Sequence, residues 1–396
     1  MNILFYQHQY PAFGGIETVT TLLARQFAKD GHSVAIVSIR AKSGTKLLDE
    51  LPSTVAVHHL PEDVYDSERN REALLAILND FTPDVVIFQD SYAPIENTLF
   101  FTLERYSRGA VLKVVVEHSM PKVEVPCGEL RLSLGPIKFA RRLVGRILYP
   151  ARYWKRFAYE RRRRRALYAV ADKYVFLSPR YIPVSNRIAG MDGGEKLTAL
   201  PNPIRPLTLE PNLSDKRKEI LFCGSLVSGK GVSRLIDIWA ELESSHTGWV
   251  FTIVGDGAER QNLENQVERL GLKNVRFEGF RTDTEVYYHR ASIFVMVSSF
   301  EGWPMVLGEA MQQGCVPIAY DSFAALFDIV EDGKSGRTIK YKDSAAFSDA
   351  LNELMSNADK LAMFQRGAIE KAKEYDLATI ACRWHALFDG SRGEMI

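Results

Sequence analysis

The strongest constraint on the fold is an alternation of short apolar segments with amphipathic helical patterns, which runs along the chain in two series. The first series has its apolar segments at 2–7, 33–39, 83–89, 111–117 and 173–178. The second has them at 219–225, 249–257, 275–280, 292–299 and 315–321. Nearly continuous apolar runs are typical of parallel strands buried on both faces. Repeated βα units of this kind favour a doubly wound sheet, so the sequence predicts two α/β domains.

A proline-rich segment separates the two series. It is "ALPNPIRPLTLEPNLSDKRKE" (199–219), which contains four prolines and no helical period, and such a composition is typical of a linker. We therefore predict an N-terminal Rossmann-like domain over 1–205, a C-terminal one over 206–375, and a last helix within 376–396. That helix is expected to pack either on its own domain or back on the first. Ligands of such sheets bind at the carboxyl ends of the strands, which we expect to face a cleft between the domains.

The composition is that of a soluble protein with two cores, since 46% of the 396 residues are hydrophobic and 25% are charged. No window approaches the roughly 18 apolar residues of a membrane span. The N-terminus lacks the basic and apolar regions of a signal peptide. The cysteines are far apart and favour neither a disulfide framework nor a zinc site; they are Cys127, Cys223, Cys315 and Cys382. We expect a cytoplasmic protein.

The stretch "SSFEGWPMVLGEAM" (298–311) places two glutamates, Glu301 and Glu309, around the predicted start of a helix over 304–313. Pro304 suits the first position of that helix. A helix N-terminus binds anions through its free amides, and carboxylates accept hydrogen bonds from hydroxyl groups. The arrangement therefore suits a ligand with phosphates in the middle and hydroxyls at both ends, which is a nucleotide sugar. The alternative is that both glutamates are solvated residues that only stabilise the helix start.

Several stretches together resemble one enzyme family. "SSFEGWPMVLGEAMQQGCVPIAYD" resembles the E-x7-E motif of retaining glycosyltransferases of the GT-B fold, specifically family 4. "PAFGGIETV" resembles the Gly-rich first loop of that family, and "LPNPI" resembles its inter-domain turn. "FTIVGDGAERQNLENQVERLGLKNVRFEGF" resembles the stretch that leads to the base pocket. The resemblance covers most of the chain and implies a GT-B architecture with an acceptor-binding first domain and a donor-binding second domain.

The resemblance also implies roles for individual residues. Glu301 would contact the donor sugar and Glu309 the ribose. Gly14 and Gly15 would allow a close approach of the backbone to the diphosphate, because glycine has no Cβ, although a plain β–α turn explains a Gly-Gly pair as well. The backbone near the sugar and phosphates would be that of Gly302, Trp303, Pro304 and Met305, and the base would be read around Gly279, Phe280 and Arg281.

The stretch "FCGSLVSGKGVSRLI" departs from the family pattern at one position. Lys230 matches the lysine that neutralises the diphosphate, but Ser225 occupies the position of the usual arginine. Catalysis without a metal depends on such charges, so there are two alternatives. Either Lys230, the helix amides and another cation, with Arg281 and Lys334 as candidates, are sufficient, or the activity is weak. The alternative for Lys230 is a surface lysine that precedes a helix.

His118 follows the predicted strand 111–117 and is expected at the carboxyl end of the sheet. The resemblance implies that it lies near the donor sugar, although a single histidine is more often structural. His8 is a second candidate. "GDGAER" (255–260) lacks the third glycine of a dinucleotide-binding fingerprint. The chain contains no D-x-D motif, and the resemblance implies transfer without a metal ion or any other cofactor.

A basic block is the other informative feature. Residues 131–165 hold 13 Lys/Arg and one acid, and 138–170 combine these charges with aromatic and aliphatic positions. Basic amphipathic helices bind anionic membrane surfaces, so 138–165 are predicted to hold the first domain on the inner face of the cytoplasmic membrane, with Pro150 between two helices over 136–170. The alternatives are a solvated helix pair, or nucleic acid, for which the sequence contains no recognised module.

The sequence thus predicts a retaining hexosyltransferase that uses a nucleoside diphosphate sugar, with UDP as the default nucleotide. Its acceptor would be a lipid-linked or polysaccharide intermediate of bacterial surface glycans, including lipopolysaccharide. Two alternatives remain open: a GT-B epimerase acting on UDP-N-acetylglucosamine, and a degenerate scaffold subunit, which the serine at 225 would fit.

Overall fold

The computed structural model describes residues 1–42, 46–90, 97–106, 111–122 and 149–393. The chain divides into two compact units. The first consists of Met1–Glu17, Phe27–Ala199 and Phe388–Ile396, and the second of Thr18–Gln26 and Leu200–Leu387. The main division thus falls between Ala199 and Leu200, a few residues before the predicted boundary at 205.

The described part of the first unit is built on a seven-stranded parallel sheet with the order β3-β2-β1-β4-β5-β6-β7. The strands are β1 Asn2–Gln9, β2 Ser33–Arg40, β3 Ala56–His59, β4 Val85–Phe88, β5 Leu112–Glu117, β6 Lys173–Phe176 and β7 Leu197–Ala199. The helices between these strands are α1 Gly15–Lys29, α2 Glu68–Phe81, α3 Thr98–Arg105, α4 Tyr149–Val170 and α5 Tyr181–Ala189. Residues Thr18–Gln26 of α1 belong to the second unit.

The second unit contains a six-stranded parallel sheet with the order β10-β9-β8-β11-β12-β13. Its strands are β8 Arg217–Cys223, β9 Val250–Val254, β10 Val275–Gly279, β11 Ala291–Met296, β12 Val316–Tyr320 and β13 Arg337–Ile339. The helices that follow along the chain are α6 Val232–Leu242, α7 Arg260–Leu270, α8 Glu285–Arg290, α9 Met305–Gln312, α10 Leu326–Ile329, α11 Ser344–Ser356, α12 Ala358–Ala372 and α13 Leu377–Gly393. From Phe388 onwards, α13 belongs to the first unit.

The predicted pair of doubly wound parallel sheets is confirmed. Except for the half-buried edge strand β10, the predicted strands are central ones; every residue of β4, β11 and β12 is buried. The sequence did not reveal β3, β7 and β13. These strands are three or four residues long and largely half-buried, so they lack the continuous apolar run that identifies a central strand.

Each sheet has one point at which its strand order reverses. In the first unit, β1 pairs with β2 on one side and with β4 on the other. In the second unit, β8 pairs with β9 on one side and with β11 on the other. The crossover connections leave such a point in opposite directions and open a crevice beyond the carboxyl ends of the two strands, where ligands of open α/β sheets bind.

The last helix, α13, contributes buried residues along much of its length, among them Ile380, Trp384 and Phe388. The ring of Phe388 lies 5.8 Å from that of Phe27, edge to face, within the first unit. None of the helices in the described ranges is long and apolar enough to cross a membrane.

Helix α4 corrects the prediction for the arginine run 161–165. Arg164 is buried and makes two hydrogen bonds to the carboxylate of Glu117, at 2.6 and 2.9 Å. Arg163 is also buried and binds Glu160, with Nη2 2.8 Å from Oε2. Arg164 thus joins α4 to the sheet, because Glu117 is the last residue of β5, whereas Arg163 pairs within α4. Neither arginine faces solvent, and a buried charge is stable only when it is paired. Pro150 lies in the first turn of α4; Phe139, Leu143 and Ile147 of the predicted basic helices lie outside the described residues.

Candidate functional site

The loops that follow β8 and β11 meet at the switch point of the second sheet. The backbone N–H of Ser299 donates to the carbonyl of Gly229 at 2.8 Å. The Ser299 hydroxyl donates to the same carbonyl at 3.1 Å. Ser298 also accepts a hydrogen bond through its carbonyl from the Ser322 hydroxyl, at 2.6 Å. The two loops are therefore joined by backbone contacts before any charged side chain is considered.

Lys230 and Glu301 form an ion pair across these joined loops. Nζ of Lys230 lies 2.6 Å from Oε1 of Glu301, and both side chains are mostly buried, with 27% and 13% exposure. Lys230 ends a 3₁₀ turn over Ser228–Lys230, and Gly231 then starts α6 with a φ of 70°. A Cβ at Gly231 would lie 2.9 Å from the carbonyl oxygen of Val297, so only glycine allows this turn to pack so closely on β11.

The helix after Glu301 begins one residue later than predicted. Pro304 is the N-cap of α9, with a ψ of 102°, and Met305 is its first residue. Of the four residues predicted to offer amides, Pro304 has no N–H, which leaves Gly302, Trp303 and Met305. The Trp303 ring lies edge to face on Tyr375 at 5.3 Å, so this side chain packs within the second unit.

Glu309 lies one turn further along α9 and is half-buried. Its Oε2 accepts a hydrogen bond of 3.3 Å from the Tyr288 hydroxyl. Burial raises the pKa of Glu309, while Arg205 and the Tyr288 hydrogen bond act in the opposite direction. Burial also raises the pKa of the nearby Cys223 thiol, to about 11. The carboxylate therefore accepts from one neutral donor, Tyr288, and is influenced by the positive charge of Arg205.

The predicted base pocket lies at the carboxyl ends of β9 and β10. The N–H of Gly255 donates to the carbonyl of Gly279 at 2.8 Å. Phe280 is exposed, with 61% of its surface accessible. Arg281 is held loosely by Glu278, with an Nη2–Oε2 distance of 3.6 Å. An exposed aromatic ring beside backbone carbonyls and amides is a surface on which a nucleobase can stack.

The residues that could supply a second positive charge beside Lys230 lie at different edges of the sheet. Ser225 is exposed and adds no charge. Lys334 precedes β13 and so lies at the amino edge of the parallel sheet, opposite the edge that carries Lys230. This position argues against Lys334 as the replacement cation. Arg281 is at the correct edge, and Arg234 is a further cation near Gly231.

Arg234 was not identified from the sequence. Its Nη1 lies 3.6 Å from the position that a Cβ of Gly231 would take, and its guanidinium lies 5.7 Å from the centre of the Tyr320 ring. It is half-buried and forms no ion pair with any residue that the structure describes. An uncompensated guanidinium close to the loop of Lys230 is a ready partner for an anion.

In the first unit, His118 follows β5 as predicted. Its Nε2 lies 2.6 Å from Oε1 of Gln89, which follows the neighbouring strand β4. An amide oxygen only accepts hydrogen bonds, so Nε2 carries the proton. Nδ1 is buried without a partner among the described residues. Burial lowers the pKa of His118 to about 4 against the opposing charge of Glu117, so the ring is neutral at neutral pH and offers one free acceptor.

Gly14 and Gly15 connect β1 to α1 at the switch point of the first sheet. Neither glycine has a positive φ. A Cβ at Gly14 would meet the Glu17 carboxylate at 2.3 Å, whereas a Cβ at Gly15 would meet nothing within 4 Å. Neither the backbone conformation nor a contact with the rest of the protein therefore requires glycine at 15. An explanation for this glycine would have to involve a bound molecule. His8, the second candidate histidine, stacks on Tyr65 with the ring centres 4.7 Å apart.

The sequence did not reveal several partners of the predicted residues. Tyr288 and Gln89 come from segments without a motif, and only the folded sheet brings Tyr288 to Glu309 and Gln89 to His118. Arg205 directly follows "LPNPI" but was not singled out. Within the described ranges, no group of three or more His, Cys, Asp or Glu side chains is arranged to hold a metal ion.

Comparison with known proteins gives two family models that follow one another along the chain. The model for glycosyltransferase family 4 matches residues 13–206, and the model for glycosyl transferases group 1 matches residues 208–371. The amylovoran biosynthesis glycosyltransferase AmsD of Erwinia amylovora is 27% identical over 175 residues. That match covers 44% of this chain and 49% of AmsD, so the chain spans only half the length of this relative.

Solved structures agree in fold over nearly the whole chain. Anabaena HepE in complex with UDP superposes with a TM-score of 0.75 and 18% identity, covering 98% of this chain and 100% of HepE. The lipopolysaccharide outer core galactosyltransferase WaaB, without ligand, gives a TM-score of 0.69 and 18% identity over 100% of both chains. With the two family models in succession and GT-B architecture throughout, the chain belongs to the family 4 type of GT-B glycosyltransferases.

Proposed function

We propose that this glycosyltransferase moves a hexosyl unit from a nucleoside diphosphate sugar, with retention of configuration, to a lipid-linked or polysaccharide acceptor of a bacterial surface glycan. The observation that carries the proposal is the Lys230–Glu301 pair, with 2.6 Å between Nζ and Oε1, at the switch point of the second sheet. This edge is where ligands of such sheets bind. A cation beside a carboxylate there suits a diphosphate next to a sugar hydroxyl.

The leaving diphosphate sets the electrostatic requirement. When the bond between the sugar and the β-phosphate breaks, negative charge develops on the phosphate, and catalysis depends on cations and amide dipoles already aimed at it. Lys230 and the amides at the start of α9 supply two such elements in our proposal. The lysine would exchange its Glu301 partner for phosphate, and Glu301 would then accept from a hydroxyl of the sugar.

The charge lost at Ser225 is supplied by Arg234 in this proposal. Arg234 lies beside the Gly231 turn and has no carboxylate partner in the described part of the chain. Two cations, Lys230 and Arg234, would then balance a diphosphate without a metal ion. The absence of a D-x-D motif from the sequence is consistent with this mechanism.

UDP is the proposed nucleotide, since HepE, which shares the fold, binds UDP and UDP-glucose. The surface-glycan acceptor rests on the names of similar proteins. AmsD acts in amylovoran biosynthesis and WaaB in the lipopolysaccharide outer core. The identity is low in both cases, so neither name assigns the sugar or the linkage.

Peripheral attachment to the inner face of the cytoplasmic membrane is part of the proposal, and the start of α4 supports it. Trp154 is 64% exposed and packs edge to face on Phe157, with 5.7 Å between the ring centres. Lys155, Arg161 and Arg162 are exposed on the same helix. Aromatic rings with cations around them are what a helix lying on an anionic bilayer presents.

Nucleotide release tests the reaction. Purified protein would be incubated with UDP- and GDP-sugars, with and without membrane extract, and free nucleotide and sugar would be followed. The proposal expects UDP release that depends on an acceptor, with an α-linked product from an α-linked donor. Release of UDP and free N-acetylmannosamine from UDP-N-acetylglucosamine without acceptor would favour the epimerase instead. No release under any condition, with no nucleotide binding, would favour the scaffold subunit.

Liposome flotation tests the membrane step. Trp154→Ala combined with Arg161→Gln and Arg162→Gln should release the protein from vesicles containing anionic phosphatidylglycerol, because each cation near such a surface contributes about 1 kcal/mol. The matched control is Arg269→Gln with Lys273→Gln, which removes two charges from the second unit. Equal flotation of both variants and of the unaltered protein would contradict the membrane proposal.

A further inference from the structure

The carboxylate of Glu309 has two oxygens in different situations. Oε2 accepts from the Tyr288 hydroxyl at 3.3 Å. Oε1 has no hydrogen-bond partner in the described ranges. The side chain is half-buried, so it is partly open to solvent. One oxygen of Glu309 is thus held by the protein, and the other is left available.

Tyr288 itself is fixed from several directions. Its side chain is buried, and its ring packs on Phe294 with 6.0 Å between the centres. Its backbone carbonyl accepts from the ammonium of Lys216 at 2.8 Å. Its hydroxyl donates to Oε2 of Glu309. The hydroxyl therefore has little freedom to turn elsewhere, which is what a rigid support for a ligand-binding group requires.

We propose that Tyr288 is a positioning residue for nucleotide binding: its hydroxyl holds Oε2 of Glu309, so that Oε1 points to the hydroxyls of the ribose. This proposal rests on the function proposed above, in which Glu309 binds the ribose. Tyr288 does not touch the nucleotide in this account and acts only through Glu309. A merely structural tyrosine would stabilise the unit without any effect on the ionisation of that carboxylate.

The charged and titratable groups around Glu309 determine how loss of the Tyr288 hydroxyl would change the pKa of Glu309. Arg205, from the segment before β8, favours the ionised carboxylate, and so does the Tyr288 hydroxyl; Glu285 on α8 opposes it. Glu309 in turn raises the pKa of the Cys223 thiol on β8. Because a hydrogen bond to the charged form favours that form, removing the Tyr288 hydroxyl raises the pKa of Glu309.

Loss of the Tyr288 hydroxyl should shift the pH dependence of nucleotide affinity to higher pH. Ribose hydroxyls donate to the ionised carboxylate, so nucleotide affinity falls when the pH drops through the pKa of Glu309. In Tyr288→Phe this fall begins at a higher pH than in the unaltered protein. Tyr288→Phe also removes a hydrogen-bond donor to a charged group. If the whole strength of that hydrogen bond contributes to binding, its loss lowers nucleotide affinity about tenfold.

Calorimetry with UDP between pH 5 and 8 tests the proposal. Tyr288→Phe should bind UDP about three- to tenfold more weakly at pH 7.5, move the acid limb of the affinity profile to higher pH, and raise the KM for donor with little change in kcat. The matched control is Tyr320→Phe, a buried tyrosine of the same unit whose hydroxyl lies 3.2 Å from that of Ser344. It should leave the profile in place.

Two further measurements distinguish the proposed role of Tyr288 from the proposed role of Glu309, and from a folding defect in Tyr288→Phe. Tyr288→Phe combined with Glu309→Ala should bind UDP no more weakly than Glu309→Ala alone, because the tyrosine acts through the glutamate. Site-specific 3-fluorotyrosine at 288 keeps the ring and a more acidic hydroxyl, and should retain affinity with the acid limb at lower pH.

The outcomes are distinguishable. Unaltered affinity and an unmoved pH profile in Tyr288→Phe, while the unaltered protein binds UDP, would overturn the role of Tyr288 alone. Failure of the unaltered protein to bind any nucleotide would instead overturn the proposed function, and the role of Tyr288 with it.

Discussion

Lys230 and Glu301, 71 residues apart in sequence, are paired with 2.6 Å between Nζ and Oε1. The pair means that the cation proposed for the diphosphate is already compensated by the carboxylate proposed for the sugar. In the proposed reaction, binding of the donor replaces this one ionic contact by two others. This exchange has consequences that separate binding from turnover.

Glu301→Gln should strengthen UDP binding and weaken turnover. The neutral amide no longer competes with phosphate for the ammonium of Lys230, and a negative charge is removed from the site, so UDP affinity should rise several-fold. The sugar, however, loses a charged acceptor, and kcat should fall by about 100-fold or more. Calorimetry and initial rates measure the two effects, with Glu331→Gln, at the opposite edge of the sheet, as the control. Weaker UDP binding in Glu301→Gln would contradict the exchange.

Arg234 and position 225 should be functionally interchangeable. Arg234→Met removes a guanidinium that has no ion-pair partner among the described residues. It should lower kcat/KM for the donor by about 10- to 100-fold, the range of one charged contact to a diphosphate. Adding Ser225→Arg in the same chain should restore much of that loss. Lys334→Met is the control, since Lys334 lies at the amino edge of the sheet. Unchanged donor kinetics in Arg234→Met would exclude Arg234 as the second cation.

Gly15→Ala should leave the fold intact and impair donor use. The added methyl group meets no atom of the chain within 4 Å, and the φ at 15 is not in the left-handed region, so the melting temperature should stay within about 2 °C of that of the unaltered protein. A backbone that must approach a diphosphate would be shielded by the methyl group, and the KM for donor should rise. A loss of stability, or unchanged kinetics with both donor and acceptor, would contradict a role for the bare backbone.

Arg164→Met should destabilise the first unit strongly. It leaves Glu117 buried without its guanidinium, and breaking a buried pair in this way costs about 3–5 kcal/mol. Arg162→Met, two residues earlier on the exposed side of α4, should change stability by less than about 0.5 kcal/mol. Urea denaturation followed by fluorescence compares the two. Similar, small effects would show that the charges of the arginine run are not divided between core and surface.

His118 should make the first unit sensitive to mild acid. Its pKa of about 4 lies below the ordinary value of 6.5, so the unfolded chain binds a proton that the folded chain does not. The stability contribution of a neutral His118 is complete above pH 6.5 and is lost as the pH falls from there towards about 4. The stability difference between the unaltered protein and His118→Gln should therefore shrink over that range. A difference that is constant from pH 7.5 to 4.5 would contradict the neutral, buried state.

The sequence predicted the central strands because burial on both faces produces continuous apolar runs, as in β11 and β12. It also predicted Lys230 and Glu301, since each lies in a motif that the family uses. Sequence spacing contains no information on which side chain pairs with which, however, and the contact between these two residues depends on β8 and β11 being neighbours in the sheet.

Other features followed from packing that no motif records. Arg163 and Arg164 belong to a run of five arginines that looks uniformly solvated in sequence, yet the helical period turns these two towards the sheet. Tyr288 has no distinctive sequence context, and only the packing of α8 beside α9 brings its hydroxyl to Glu309. The burial of Arg163 and Arg164 and the hydrogen bond from Tyr288 to Glu309 were therefore visible only in the folded structure.

A crystal structure of the protein with UDP tests the central claim most directly. The account predicts UDP beyond the carboxyl ends of β8 and β11, with its diphosphate on Lys230 and its ribose on Glu309, and with Lys230 withdrawn from Glu301. A nucleotide bound at another edge of the sheet, or a diphosphate bound while the Lys230–Glu301 pair stays intact, would contradict it.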